Sequence, residues 1–89
     1  MTATMTEEVL QDGMAVSVAR VLAAANRRAC ELGVDVPQSI VTIRQDGLDG
    51  EAFWTVNYGP KNYLECRGGD LLIEVNSRDA GIRRVLRGQ

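Results

Sequence analysis

Eighty-nine residues, 45% hydrophobic and 25% charged, suffice for one small globular domain and leave no room for a second core. Ten Lys and Arg against twelve Asp and Glu give a formal charge of −2, which argues against a chain whose main work is neutralising phosphates, so no nucleic-acid partner is expected. Histidine is absent, which removes every Ser/His/Asp or Cys/His catalytic arrangement and every His metal site from this chain.

The opening stretch MTATMTEEVLQDG carries neither a basic n-region nor an apolar h-region, and the purely apolar run Val21 to Ala25 is far too short for a span. No secretory signal and no membrane partner are expected, and the setting expected is cytoplasmic. Ala15, Val18, Leu22, Ala25, Ala29 and Leu32 recur at spacings of three and four, with Ser17, Arg20, Arg27, Arg28 and Glu31 opposite, which predicts an amphipathic helix. Val16, Ala19, Val21 and Cys30 widen its apolar stripe. Its end is set by Leu32-Gly33, followed by Pro37. Its start has two candidates. Thr4 with Glu7 forms a capping box and favours a helix from about Thr6, bent near Gly13, while Asp12-Gly13 is able to cap a second, later start.

After Pro37 the hydrophobic period shortens to two, and strand candidates follow. Over Ser39 to Gln45, Val41 and Ile43 share one face, and Ile40, Thr42 and Arg44 the other. Gln45 to Gly50 contains two Asp-Gly steps suited to a hairpin connection. Over Glu51 to Tyr58, Trp54, Val56 and Tyr58 form the face expected to meet the helix, Leu22 against Trp54 being the central contact, with Phe53, Thr55 and Asn57 opposite. Gly59-Pro60 marks a break, Tyr63 to Cys66 a short strand or extended arm, and Leu71 to Val75 a further strand. Ile82 to Arg87 fits either a short helix or a strand returning on Leu71 to Val75 through the polar turn Asn76 to Gly81, and its β-branched Ile82 and Val85 favour the strand. The fold class expected is α+β: one domain, residues 1–89, with one long N-terminal helix packed on a curved antiparallel sheet of about four strands.

The order of these elements, with F-W-T-V-N-Y at Phe53 to Tyr58 and G-G-D-L-L-I-E-V-N at Gly68 to Asn76, resembles the PepSY-like and small cystatin- or NTF2-like bacterial domains. Trp54 to Tyr58 with Lys61 to Glu65 is also similar to the W-x-V-x-Y … Y-L-E stretch of short immunity proteins, which neutralise toxins by binding them. The resemblance implies a non-catalytic binding or inhibitory module and transfers no catalytic residue.

Among individual residues, Arg78, Arg83, Arg84 and Arg87 concentrate positive charge near the C-terminal end, and with Phe53 and Tyr63 they are the candidates for binding a protein partner, a toxin among the classes considered. Trp54 and Tyr58 are expected in the core, the alternative being the lining of a ligand or catalytic pocket of the NTF2-like sort. Asp46, Asp49 and Glu51 fit a solvated turn better than a cation site, and the carboxylates of Asp70, Glu74, Glu51 and Glu65 have no spacing that sets them as an acid/base pair, so no metal, cofactor or enzymatic activity is expected. Cys30 and Cys66 belong to no C-x-x-C pair and are expected as buried free thiols. Phe53, Ile40 and Leu72 leave an apolar surface on the side away from the helix, for which a homodimer is the expected cover.

Overall fold

The computed structural model describes residues 7–60 and 70–87. A short helix α1 (Glu7–Gln11) leads into the long helix α2 (Gly13–Glu31), and a 3-10 turn (Val36–Gln38) leads into strands β1 (Ser39–Leu48), β2 (Glu51–Pro60), β3 (Leu71–Asn76) and β4 (Ile82–Arg87). The strands form one antiparallel sheet in the order β1-β2-β3-β4, so each strand pairs with the next in the chain, and the fold is α+β as expected. The segment 82–87 is a strand. Tyr63 to Cys66, expected as a short strand or arm, lies outside the described residues.

Both candidate helix starts leave a trace. The chain is already helical at Glu7, and it breaks at Asp12, whose extended backbone lets its carboxylate accept from the Met14 and Ala15 N–H groups and so cap α2. At the other end Gly33 takes a φ of 87°, the Gly33 N–H donates to the Cys30 carbonyl at 3.0 Å and the Val34 N–H to the Ala29 carbonyl at 2.9 Å. This pair of bonds satisfies carbonyls that the helix end would otherwise orphan, and the left-handed residue they need is the glycine legible in the sequence.

The β1–β2 connection is the two-residue turn Asp49-Gly50, with φ of 53° and 80°, the pair of positive angles whose twist matches that of the strands it joins. Only the second Asp-Gly step turns the chain. β1 therefore runs three residues beyond the Gln45 at which it was expected to end, because Asp46 and Gly47 pair with Phe53 and Ala52. The β3–β4 turn is held by short side chains: the Arg78 N–H donates to Asn76 Oδ1 at 2.8 Å and the Gly81 N–H to Asp79 Oδ1 at 2.9 Å.

The core lies between α2 and the middle of the sheet. Trp54, Val56 and Tyr58 of β2 stand opposite Val75, Ile73 and Leu71 of β3, and all six are buried with Val21, Ala25 and Ala29 of the helix. The helix is rolled relative to the stripe the spacing suggested. Val21, expected at its margin, is central, whereas Leu22 is only partly buried. Trp54 shares a surface cleft with Met14 and Ser17 of the first turns of α2, and Leu22 does not line it. Cys30, expected to be buried, is exposed, because a face centred on Ala25 and Ala29 turns the following position outward. Among the described residues no helix is long and apolar enough to cross a membrane.

Removing buried volume at the centre should cost more than at the flank. Ile73→Ala, at a fully buried position, is expected to cost about 2–5 kcal/mol in urea denaturation, and Leu22→Ala distinctly less. Equal losses in the two variants would show that the core is centred elsewhere.

Candidate functional site

One helix covers one face of the sheet, and the other face carries the residues that organise a site. Strand alternation and register place Ile40, Thr42, Arg44 and Asp46 of β1, Phe53, Thr55 and Asn57 of β2, Leu72 and Glu74 of β3 and Arg84 and Leu86 of β4 on this open face. Regular alternation would send Arg83 to the helix side. It does not, because the β3–β4 register shifts between Glu74 and Val75: Glu74 pairs with Arg84 and Val75 with Ile82, leaving Arg83 as the extra residue of a β-bulge. Two consecutive arginines thereby reach one carboxylate. Arg84 Nη2 donates to Glu74 Oε2 at 3.0 Å, and Arg83 Nε stands 3.9 Å from Glu74 Oε1. The Arg83 guanidinium also lies over the Phe53 ring, 4.4 Å from its centroid, where a cation is attracted to the π face. Phe53, Glu74, Arg83 and Arg84 together line an open cleft of about 180 Å³.

Glu74 is 8% exposed although neither described helix lies on this face, and the Arg83 and Arg84 guanidiniums stand against its carboxylate. A buried carboxylate needs such partners, and two guanidiniums on one acid leave the cluster positive. At the β1 side the charges balance: Asp46 Oδ2 accepts from Arg44 Nε and from Thr55 Oγ1, each at 3.0 Å. The Arg44 hydrogen bond, helped by that of Thr55, holds the Asp46 carboxyl below the usual carboxylate range against a smaller opposing effect of burial. Among the described residues no three His, Cys, Asp or Glu side chains converge in a way that would hold a metal ion.

The sequence candidates separate into three places. Phe53, Arg83 and Arg84 come together on the open face. Arg78 lies apart, in a cleft of about 310 Å³ with Gly50, Glu51, Ala52, Asn76 and Ser77. Arg87 points to the helix end, where its Nη2 donates to the Leu32 carbonyl at 2.7 Å and sets a positive charge at the negative end of the helix dipole. Tyr63 lies outside the described residues, as does Cys66. In the sequence Glu74 is only one carboxylate among several; its place beside two arginines depends on the bulge, which no residue pattern announces.

Trp54, 7% exposed, and Tyr58, 1% exposed, belong to the core on the helix side. Their outer edges reach two different clefts. Trp54 lines one with Gly13, Met14, Ser17, Gln45 and Ser77, and Tyr58 another with residues that include Leu32, Asp35 and Arg87. Tyr58 Oη donates to Asn26 Oδ1 at 2.6 Å, a cross-link between β2 and α2. The chain matches no protein-family model, and no curated protein or solved structure matches it.

Burial, with the charge of a Cys30 thiolate adding to it, pushes the Tyr58 hydroxyl up to about 12. The folded state holds this proton more tightly than the unfolded chain, whose tyrosines ionise near ~10. The stability linked to Tyr58 is therefore complete below ~pH 10 and falls as the pH climbs from there through about 12. An absorbance titration should show one tyrosine ionising late, a step that Tyr58→Phe removes. A late step that survives this substitution would place the perturbed hydroxyl elsewhere.

Proposed function

We propose that this chain is a non-catalytic protein-binding module of the immunity or inhibitor kind, and that its recognition surface is the sheet face opposite the helix, centred on Phe53, Arg83 and Arg84. The observation that carries the proposal is the open face itself. It combines an aromatic ring, two arginines and exposed aliphatic side chains, Ile40 at 46% and Leu86 at 42%, beside a buried acid. Aromatic residues and arginine are the types that anchor protein interfaces, and the two aliphatic side chains, one on each edge strand, add apolar surface to the same face. The resemblance to PepSY-like and small cystatin- or NTF2-like bacterial domains and to short immunity proteins points the same way, toward a toxin as the class of target.

The excess positive charge at Arg83 and Arg84 suits an acidic patch on that partner, and it acts on the rate of encounter more than on the final contact. The test begins with the tagged chain as bait and continues with the captured partner in kinetic binding measurements. Arg83→Gln with Arg84→Gln is expected to slow association severalfold, and raising the salt concentration should slow the parent in the same way, because exposed charges are screened beyond ~8 Å at physiological ionic strength. Phe53→Ala should instead raise the dissociation rate. A captured partner that binds all these variants as it binds the parent would refute the assignment of the open face.

A further inference from the structure

The two edges of the sheet are built differently, and the difference identifies an interface. β4, at one edge, is six residues long, carries Arg83, Arg84 and Arg87, and is bulged against β3. Short length, repeated like charge and a bulge are the devices that keep an edge strand from pairing. Two β4 strands laid side by side would gather six guanidinium groups along one seam. β1, at the other edge, has none of these devices. It is ten residues long, it pairs with β2 in an unbroken register, and it contains neither proline nor lysine. Its two charged residues, Arg44 and Asp46, have opposite sign and lie two residues apart on one face.

We propose that a second copy of this chain pairs antiparallel with the outer edge of β1, joining two four-stranded sheets into one of eight strands. Charge specifies the register. Two-fold symmetry centres the pairing on a residue, because residues whose backbone groups point outward must meet their like, and centres from Thr42 to Gln45 keep at least seven of the ten β1 residues paired. Centring on Thr42 sets Arg44 against Ile40 and leaves Asp46 opposite a residue outside the strand. Centring on Arg44 sets that residue against itself and repels. Centring on Ile43 sets Arg44 against Thr42 and the Asp46 carboxylate against the Ile40 side chain of the second copy. Centring on Gln45 sets Arg44 of each copy opposite Asp46 of the other, so two cross-strand ion pairs form and continue the pair already present within each strand. The two-fold axis then stands normal to the sheet. Both helices lie on one side, and the Phe53, Arg83 and Arg84 clusters remain free on the other, at the far margins of a continuous face. The pairing is thus independent of the recognition role proposed for that cluster, and it differs from the face-to-face cover of Phe53, Ile40 and Leu72 that composition suggested.

Light scattering on the intact chain over a range of micromolar concentrations tests this directly, the expected mass being twice the 9.7 kDa of one chain. Arg44→Asp should raise the dissociation constant at least about tenfold, since it replaces two attractive cross-strand pairs by two repulsive ones. The exchanged variant, Arg44→Asp with Asp46→Arg, should restore the dimer. A parent mass of 9.7 kDa throughout, or a dimer indifferent to Arg44→Asp, would overturn the proposal. Hydrogen exchange on the parent gives a second measurement that needs no variant: β1 amides must become more protected as concentration rises, and protection gained at β4 instead would overturn it equally.

Discussion

A helix with its side chains is about 10–12 Å across, and four strands at ~4.8 Å spacing put the outer strand axes about 14 Å apart before side chains are added. One helix therefore cannot cover this sheet. α2 settles over β2 and β3, where Val56, Ile73 and Val75 lose all contact with water, while the helix side of the edge strands is covered only in part: Ile43 and Val85 pack against the core, and Val41 and Ile82 stay 38% and 40% exposed. The alanines at 25 and 29 follow from the same constraint. Where the helix sits closest to the strands, the sheet supplies the bulk, as Tyr58, Leu71 and Ile73, and the helix supplies room. The surface that the described helices leave uncovered, both edges and one face of the sheet, has to be made compatible with water by other means.

The means differ across the sheet. Toward β1 the ion pair of Arg44 with Asp46 lies on the open face, its arginine 70% and its carboxylate 30% exposed, so its net contribution to stability is small, ~0–1 kcal/mol. Toward β4 the acid is buried and the arginines are not. Glu74 gives up most of its hydration and is compensated by Arg84, with Arg83 further off but supported by the Phe53 ring. An apolar residue at position 74 would fill this space with less desolvation. The carboxylate instead fixes two long, flexible side chains in one place, and order of that kind lowers the entropy lost when such side chains are immobilised in a complex.

The features legible in the sequence were those determined within a few residues. Gly33 ends the helix because only the residues just before it need its positive φ, and Asp49-Gly50 makes the turn by its own backbone angles. The split of β2 into a Trp54, Val56, Tyr58 face and a Phe53, Thr55, Asn57 face follows from alternation alone. What escaped was set across the fold. The roll of α2 that promotes Val21 over Leu22 and exposes Cys30 depends on where β2 and β3 present their bulk, and Asp46-Gly47 resembles a turn until Phe53 and Ala52 are seen to pair with it. The bulge was the least accessible. Arg83 and Arg84, adjacent in a strand, should face opposite ways, and no glycine marks the place where they do not. The part of the candidate site that sequence reasoning did find, the arginines and Phe53, was reached through charge and aromatic character; their convergence on Glu74 was not.

Trp54 is the one tryptophan of the chain, and it stands where the first turns of α2 meet the strands, 7% exposed, beside Met14 and Ser17. Indole emission moves to longer wavelength when the ring becomes wet. The molecule thus carries an optical gauge of its own helix docking, placed away from the Phe53, Arg83 and Arg84 cleft on the opposite side of the sheet. A ligand that occupies that cleft and leaves the fold intact would not touch the indole, so a change in its colour would signal separation of the two layers from each other.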